Sequence, residues 1–191
     1  MNTLNRRHLA LIGASLLLAG CAAPLPATVM LRLPVVPAEA GSPDAGPALR
    51  LLSLRLAGHL DREALVVATG PGTLQASEQA RWAEPLRDAA ARALQHDLNP
   101  AGVAGGSAAG LTGVRVELQA FELRADRRAV RLEAVWEPGS DIGGIRAGQR
   151  QRFVTEAPAA GTGLDDAVLA HREALSRLAR HIRQQVARPA G

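Results

Sequence analysis

The chain has 191 residues, enough for one domain with a sizeable core, and its hydrophobic fraction of 47% is that of a globular protein rather than a disordered one. A formal net charge of +4 and an isoelectric point near 11.0 invite a nucleic-acid partner, yet there is no lysine, the charges alternate in sign, and an aromatic content of 2% leaves almost nothing for base stacking. A single cysteine excludes a disulfide framework and a thiolate metal centre.

The first element has the form of an export signal. Arg6 and Arg7 precede an apolar stretch from Leu9 to Ala19, and the run Leu18-Ala19-Gly20-Cys21 closes it. A charged start, a short apolar middle and small residues before a cut are the parts of a secretory signal. With cysteine at the cut it resembles a bacterial lipoprotein signal. The stretch is about half the ~20 residues that span a bilayer, and it is apolar on every side, unlike an amphipathic core helix. The expectation is removal of residues 1–20 and lipidation of Cys21 at its sulfur and new amino terminus. Arg6-Arg7-His8-Leu9 is also similar to a twin-arginine signal, although an ordinary charged start accounts for it. Cleavage leaves 20 arginines against 18 acidic residues, a net of +2. The high isoelectric point then reflects the lack of groups titrating between histidine and arginine, not a basic face.

The mature chain divides into a lipidated terminus and tether, 21–27, and a single domain, 28–191. Thr28 to Val36 predicts a first strand, and Pro37 to Pro47 a turn-rich loop. From Ala48 to Ala57 the alternation predicts a strand with Leu52, Leu54 and Leu56 on one face. Leu65 to Thr69 and Thr73 to Ala76 flank the Gly70-Pro71-Gly72 turn signal as two short strands. Leu86, Ala90, Ala93, Leu94 and Leu98 recur at helical spacing, with Pro85 suited to the first turn and Asn99-Pro100 as the stop. A Gly/Ala-rich loop follows over 101–113. Val114, Val116 and Leu118 alternate with polar residues, then the apolar phase shifts to Phe121 and Leu123, which predicts a β-bulge near Ala120. Asp126-Arg127-Arg128 turns the chain into a partner strand over Val130 to Trp136. After a turn from Pro138 to Gly144, Ile145 to Ala157 reads as a more polar strand near an edge. Leu164, Val168, His171, Leu175, Leu178, Ile182 and Val186 form one stripe of a long closing helix, with Asp165 and Asp166 in its first turn. The fold class is α/β: a mixed sheet with one central helix and a long C-terminal amphipathic helix. The crossover through the central helix allows parallel pairs, and the 114–157 meander is antiparallel.

Two runs and a hairpin carry a family resemblance. Leu60-Asp61-Arg62-Glu63-Ala64-Leu65-Val66-Val67, Arg81-Trp82-Ala83-Glu84-Pro85-Leu86, and the strands Val116 to Glu122 and Val130 to Trp136 are similar to the ABC-type transport auxiliary lipoproteins of the PqiC type. The Trp-Ala-Glu-Pro-Leu run is the most specific part. The resemblance implies a three-layer α/β sandwich and a lipoprotein of a Gram-negative outer membrane, held by acyl chains on Cys21 and facing the periplasm. It implies MCE-type proteins and ABC transporter components as partners in lipid movement between membranes, and it leaves homo-oligomerisation open. Ala22 after the cysteine agrees with outer-membrane sorting. Glu63 stands where the family has proline.

Nothing in the sequence points to catalysis, a cofactor, a metal or nucleic acid. Ser107 lacks the Gly-x-Ser-x-Gly turn of a nucleophile elbow. Asp165 and Asp166 are adjacent on a helix, so they point apart. His171 and His181 lie ten positions, or about 15 Å, apart along one helix and cannot share a metal. Trp82 is either a hydrophobic anchor or a partner contact. Glu84 stands where a carboxylate accepts from N–H groups of a first turn, and with Pro85 it completes the candidate surface. The leading expectation is a non-enzymatic docking lipoprotein. A direct lipid carrier is the alternative, and a hydrolase would need a constellation that the sequence does not display.

Overall fold

A computed structural model describes residues 27–35, 49–99, 112–139 and 150–187. The signal, Cys21, the 37–47 loop, Pro100 and the start of the strand expected from Ile145 lie outside the described residues. The elements in chain order are β1 (Val29–Leu31), β2 (Leu49–Leu56), β3 (Ala64–Gly70), β4 (Thr73–Trp82), α1 (Leu86–Leu98), β5 (Thr112–Arg124), β6 (Ala129–Gly139), β7 (Gln151–Pro158) and α2 (Leu164–Ala187).

The strands form one open mixed sheet in the order β1-β4-β3-β5-β6-β7, with β2 also joined to β5. The central β5 has 13 residues, long enough for two strands to share one of its edges. β2 runs parallel to its first half, from Leu49↔Thr112 to Leu56↔Leu118, and β3 runs parallel to its end at Val67↔Leu123 and Ala68↔Arg124. These are the parallel pairs that the crossover through α1 makes possible. β6 lies antiparallel along the other edge of β5, and β7 lies antiparallel along β6, completing the expected meander.

The bulge expected near Ala120 is present, as a register shift between Leu118 and Ala120. One extra residue lets Val114, Val116 and Leu118, then Phe121 and Leu123, all enter the core. β2 has a second shift, between Leu51 and Ser53. It breaks the expected Leu52-Leu54-Leu56 face: Leu49 and Leu54 are buried, and Leu52 lies against Gly113. A Cβ at Gly113 would come within 2.5 Å of the Leu52 side chain, so a larger residue there would push Leu52 aside. β4 runs well past Ala76, to Trp82. Its register jumps between Ala76 and Arg81, where Ser77 Oγ accepts from the N–H groups of Gln79 at 3.3 Å and Ala80 at 3.1 Å.

Both helices share one face of the sheet and one continuous core. α1 buries Leu86, Ala89, Ala90, Ala93, Leu94 and Leu98, and its Gln95 seals the outer edge of β2: the Leu51 N–H donates to Oε1 at 2.8 Å, and Nε2 donates to the Leu49 carbonyl at 3.4 Å. α2 buries Ala174, Leu175, Leu178 and Ile182 over β6 and β7. The mixed-sheet sandwich with a central helix and a long closing helix is what the chain builds. Among the described residues no helix covers the other face of the sheet. That face carries charge pairs instead, Arg152–Glu133 at 2.5 Å and Arg150–Glu117 at 3.5 Å between segments and Arg131–Glu133 at 3.2 Å along β6, the polar alternate positions of half-buried antiparallel strands.

Candidate functional site

The two runs of the family resemblance meet at one place. Residues 61–63 connect β2 to β3, and residues 82–86 connect β4 to α1. Backbone hydrogen bonds clamp them together: Trp82 N–H donates to the Glu63 carbonyl at 2.7 Å, and Ala83 N–H donates to the Leu31 carbonyl at 2.8 Å. Together with Met30 of β1 they line an open depression of about 360 Å³. Its apolar lining is Met30, Pro85 and Leu86, and its charged lining is Asp61, Arg62, Glu63 and Glu84.

The three sequence-derived candidates take different places in it. Trp82 is only 4% exposed; its indole meets the His171 ring edge-on at a centroid distance of 5.3 Å. His171 in turn meets Phe121 at 4.7 Å, so one histidine of α2 is wedged between aromatics of β4 and β5. Its Nδ1–H donates to the Ala167 carbonyl at 2.7 Å. Burial, outweighing the backbone hydrogen bonds, pulls its pKa down to about 4, and the ring is neutral near pH 7. Pro85 occupies the N-cap position of α1 and is exposed. Glu84 does not cap the helix as expected: no side chain caps α1, and Glu84 forms an ion pair with Arg92. A charged guanidinium attracts a carboxylate more strongly than a neutral N–H does. Arg81 pairs with Glu63 at 3.3 Å, both exposed, a contact worth little in stability.

Elsewhere the polar clusters have structural geometry. Arg172 of α2 donates twice to Asp97 of α1, at 2.6 and 2.5 Å, and Ser176 Oγ donates to the same carboxylate at 2.9 Å. His96 Nδ1 lies 3.2 Å from the other Asp97 oxygen. A serine nucleophile needs its base beside it; here the carboxylate, tied to a guanidinium, separates the serine from the histidine. His59 Nε2 lies 3.1 Å from Glu122, whose pKa burial raises against the pull of His59 and Arg131. His181 packs on Phe153 at 4.7 Å. Among the described residues no three metal-ligating side chains come together, and no helix is long and apolar enough to cross a membrane. Sequence reasoning missed Met30 as a wall of the depression and the Asp97–Arg172 pair, because both arise from segments brought together only by the fold.

Two solved structures resemble this fold. One, described as an uncharacterized protein, superposes with a TM-score of 0.66 at 16% identity, over 84% of this chain and 99% of its own. The other, protein XCC0632 from Xanthomonas campestris, of the family DUF330, superposes with a TM-score of 0.54 at 19% identity, over 81% of this chain and 91% of its own. No curated protein matches the sequence. The family model described as ABC-type transport auxiliary lipoprotein component matches residues 31–183, a span that takes in β2 to β7, all of α1 and most of α2. The chain therefore belongs to the ABC-type transport auxiliary lipoprotein family.

Proposed function

We propose that the chain is exported, cut before Cys21 and acylated there, and that it serves an envelope lipid-transport system from the periplasmic face of the outer membrane. Its task is docking: it holds an MCE-type protein coupled to an ABC transporter, and performs no chemistry of its own. The observation that carries this reading is the depression where residues 61–63 meet residues 82–86. It is open, amphipathic and built from loops clamped by backbone hydrogen bonds, as a protein-binding surface needs to be. A direct lipid carrier would need an enclosed apolar cavity. At about 360 Å³ the depression is near the lower end of the ~300–1,000 Å³ range of small-ligand pockets, and part of its lining is charged.

Ala83 and Asp61 are both exposed, so Ala83→Arg with Asp61→Arg reshapes the depression without entering the core. Co-purification from envelopes with the MCE-type protein is expected to be lost, with the melting temperature kept within the range of surface changes, about ±0.5 kcal/mol in stability. Retained co-purification would remove the depression from the interface. Failure of the native lipoprotein to recover any MCE-type protein would remove the docking role itself.

A further inference from the structure

Three of the six large apolar side chains exposed among the described residues, Val29, Met30 and Val35, lie in the nine-residue segment 27–35. That segment holds β1, whose one strand partner is β4, so it forms an edge of the sheet. Sheets guard such edges with charge or a covering element. The opposite edge, β7, is guarded: Arg152 and Glu156 are exposed on it, and Arg177 of α2 donates to its Glu156 carbonyl at 2.9 Å. On the β1 segment the one charge is Arg32, exposed between Met30 and Val35.

The chain length says what lies opposite this edge. Seven residues separate Cys21 from Val29. Even fully extended, that connection reaches about 28 Å, so an acylated Cys21 holds β1 within that distance of the lipid surface. We propose that the 27–35 edge is seated on the phospholipid surface that carries Cys21. Val29, Met30 and Val35 enter the boundary between headgroups and acyl chains, and Arg32 meets the phosphates. This rests on the acylation of Cys21 proposed above. It orients the domain: the depression, walled by Met30, opens next to the membrane.

Cys21 is the only cysteine, and its sulfur is occupied once acylated, so Met30→Cys and Val35→Cys each introduce one free thiol for a spin label. Leu169→Cys on α2 and Val154→Cys on β7 are the controls, both exposed in the native protein. Each acylated variant is compared in detergent and in vesicles of phosphatidylethanolamine and phosphatidylglycerol, after circular dichroism has shown it folded. The expected result is a several-fold rise in the ratio of oxygen to nickel-chelate collisions at positions 30 and 35 on transfer to vesicles, with none at 154 and 169. Equal accessibility at all four positions in floating vesicles would overturn the proposed face and leave the anchor standing. Protection at position 30 that follows protein concentration, in detergent as in vesicles, would overturn it in favour of a second copy of the chain. Failure of the native protein to float with vesicles would overturn the anchor and this inference with it.

Discussion

On the buried stripe of α2, position 171 carries a histidine where its neighbours in the pattern are Val168, Leu175 and Leu178. The ring meets two aromatic neighbours edge-on and returns its one N–H to its own helix, so it acts as a shaped core residue. Neutrality is a condition of that fit. The folded-state pKa, about 4, lies below the ordinary value of 6.5, so the native state resists protonation. Stability from this group is therefore complete above about pH 6.5 and is lost as pH falls through 4, a change worth roughly 3 kcal/mol in total. Glu122 works in the opposite direction: its raised pKa makes the folded state the better proton binder, so its contribution declines as pH rises past the ordinary carboxylate value. The clean measurement is thus the difference between wild type and His171→Leu in urea midpoint, near pH 7 and near pH 5. The variant is expected to lose much less stability than wild type on acidification. Parallel slopes for the two proteins would mean that His171 is not the group responsible.

The two helices meet through polar as well as apolar contacts. The Arg172 side chain is 7% exposed and that of Asp97 14%, and the bidentate geometry ties both terminal guanidinium nitrogens and Ser176 to the carboxylate. Removing one partner of such a pair strands the other, so Asp97→Ala is expected to cost about 3–5 kcal/mol, whereas Asp97→Leu combined with Arg172→Leu recovers most of that loss. Chemical denaturation of the three proteins checks this, and a double variant as unstable as the single one would show that the pair does more than satisfy itself. No local pattern in the sequence announces this contact, because its partners are 75 positions apart. Elements whose cause is local were legible: both helices, the Gly70-Pro71-Gly72 hairpin, and the β5 bulge, which leaves its mark as a change of apolar phase at Phe121. The β2 bulge leaves the same kind of mark: Leu49 and Leu51 alternate with Arg50, then Leu52, Leu54 and Leu56 alternate with Ser53 and Arg55, so the apolar phase changes where the register slips, and reading only the second phase as one face passed over it. The latter half of β4 was hidden because Ser77, Glu78 and Gln79 interrupt the apolar pattern where the strand bulges.

At the scale of the whole molecule, the walls of the depression were legible as two conspicuous runs, but their meeting was not; it depends on the clamp from Trp82 and Ala83 to Glu63 and Leu31. The proposed mode of action separates the fold from the anchor. The buried core of the described residues runs from Leu31 to Ile182, with Val186 packed against it. A single acyl chain binds a membrane only marginally, while acylation at both sulfur and amino terminus holds it stably. Placing Cys21→Ala behind a secretory signal with an ordinary small-residue cleavage site therefore tests the anchor alone. The protein is expected to reach the periplasm folded, with an unchanged melting temperature, and to move from the membrane fraction to the soluble fraction. The β1 edge, with three apolar side chains and one arginine, is too small to hold it there unaided. Complementation of a strain lacking the protein should fail although the domain is intact, because a docking protein acts through where it is held. Full complementation by the soluble form would show that the folded domain suffices and that attachment to the membrane is not part of its mechanism.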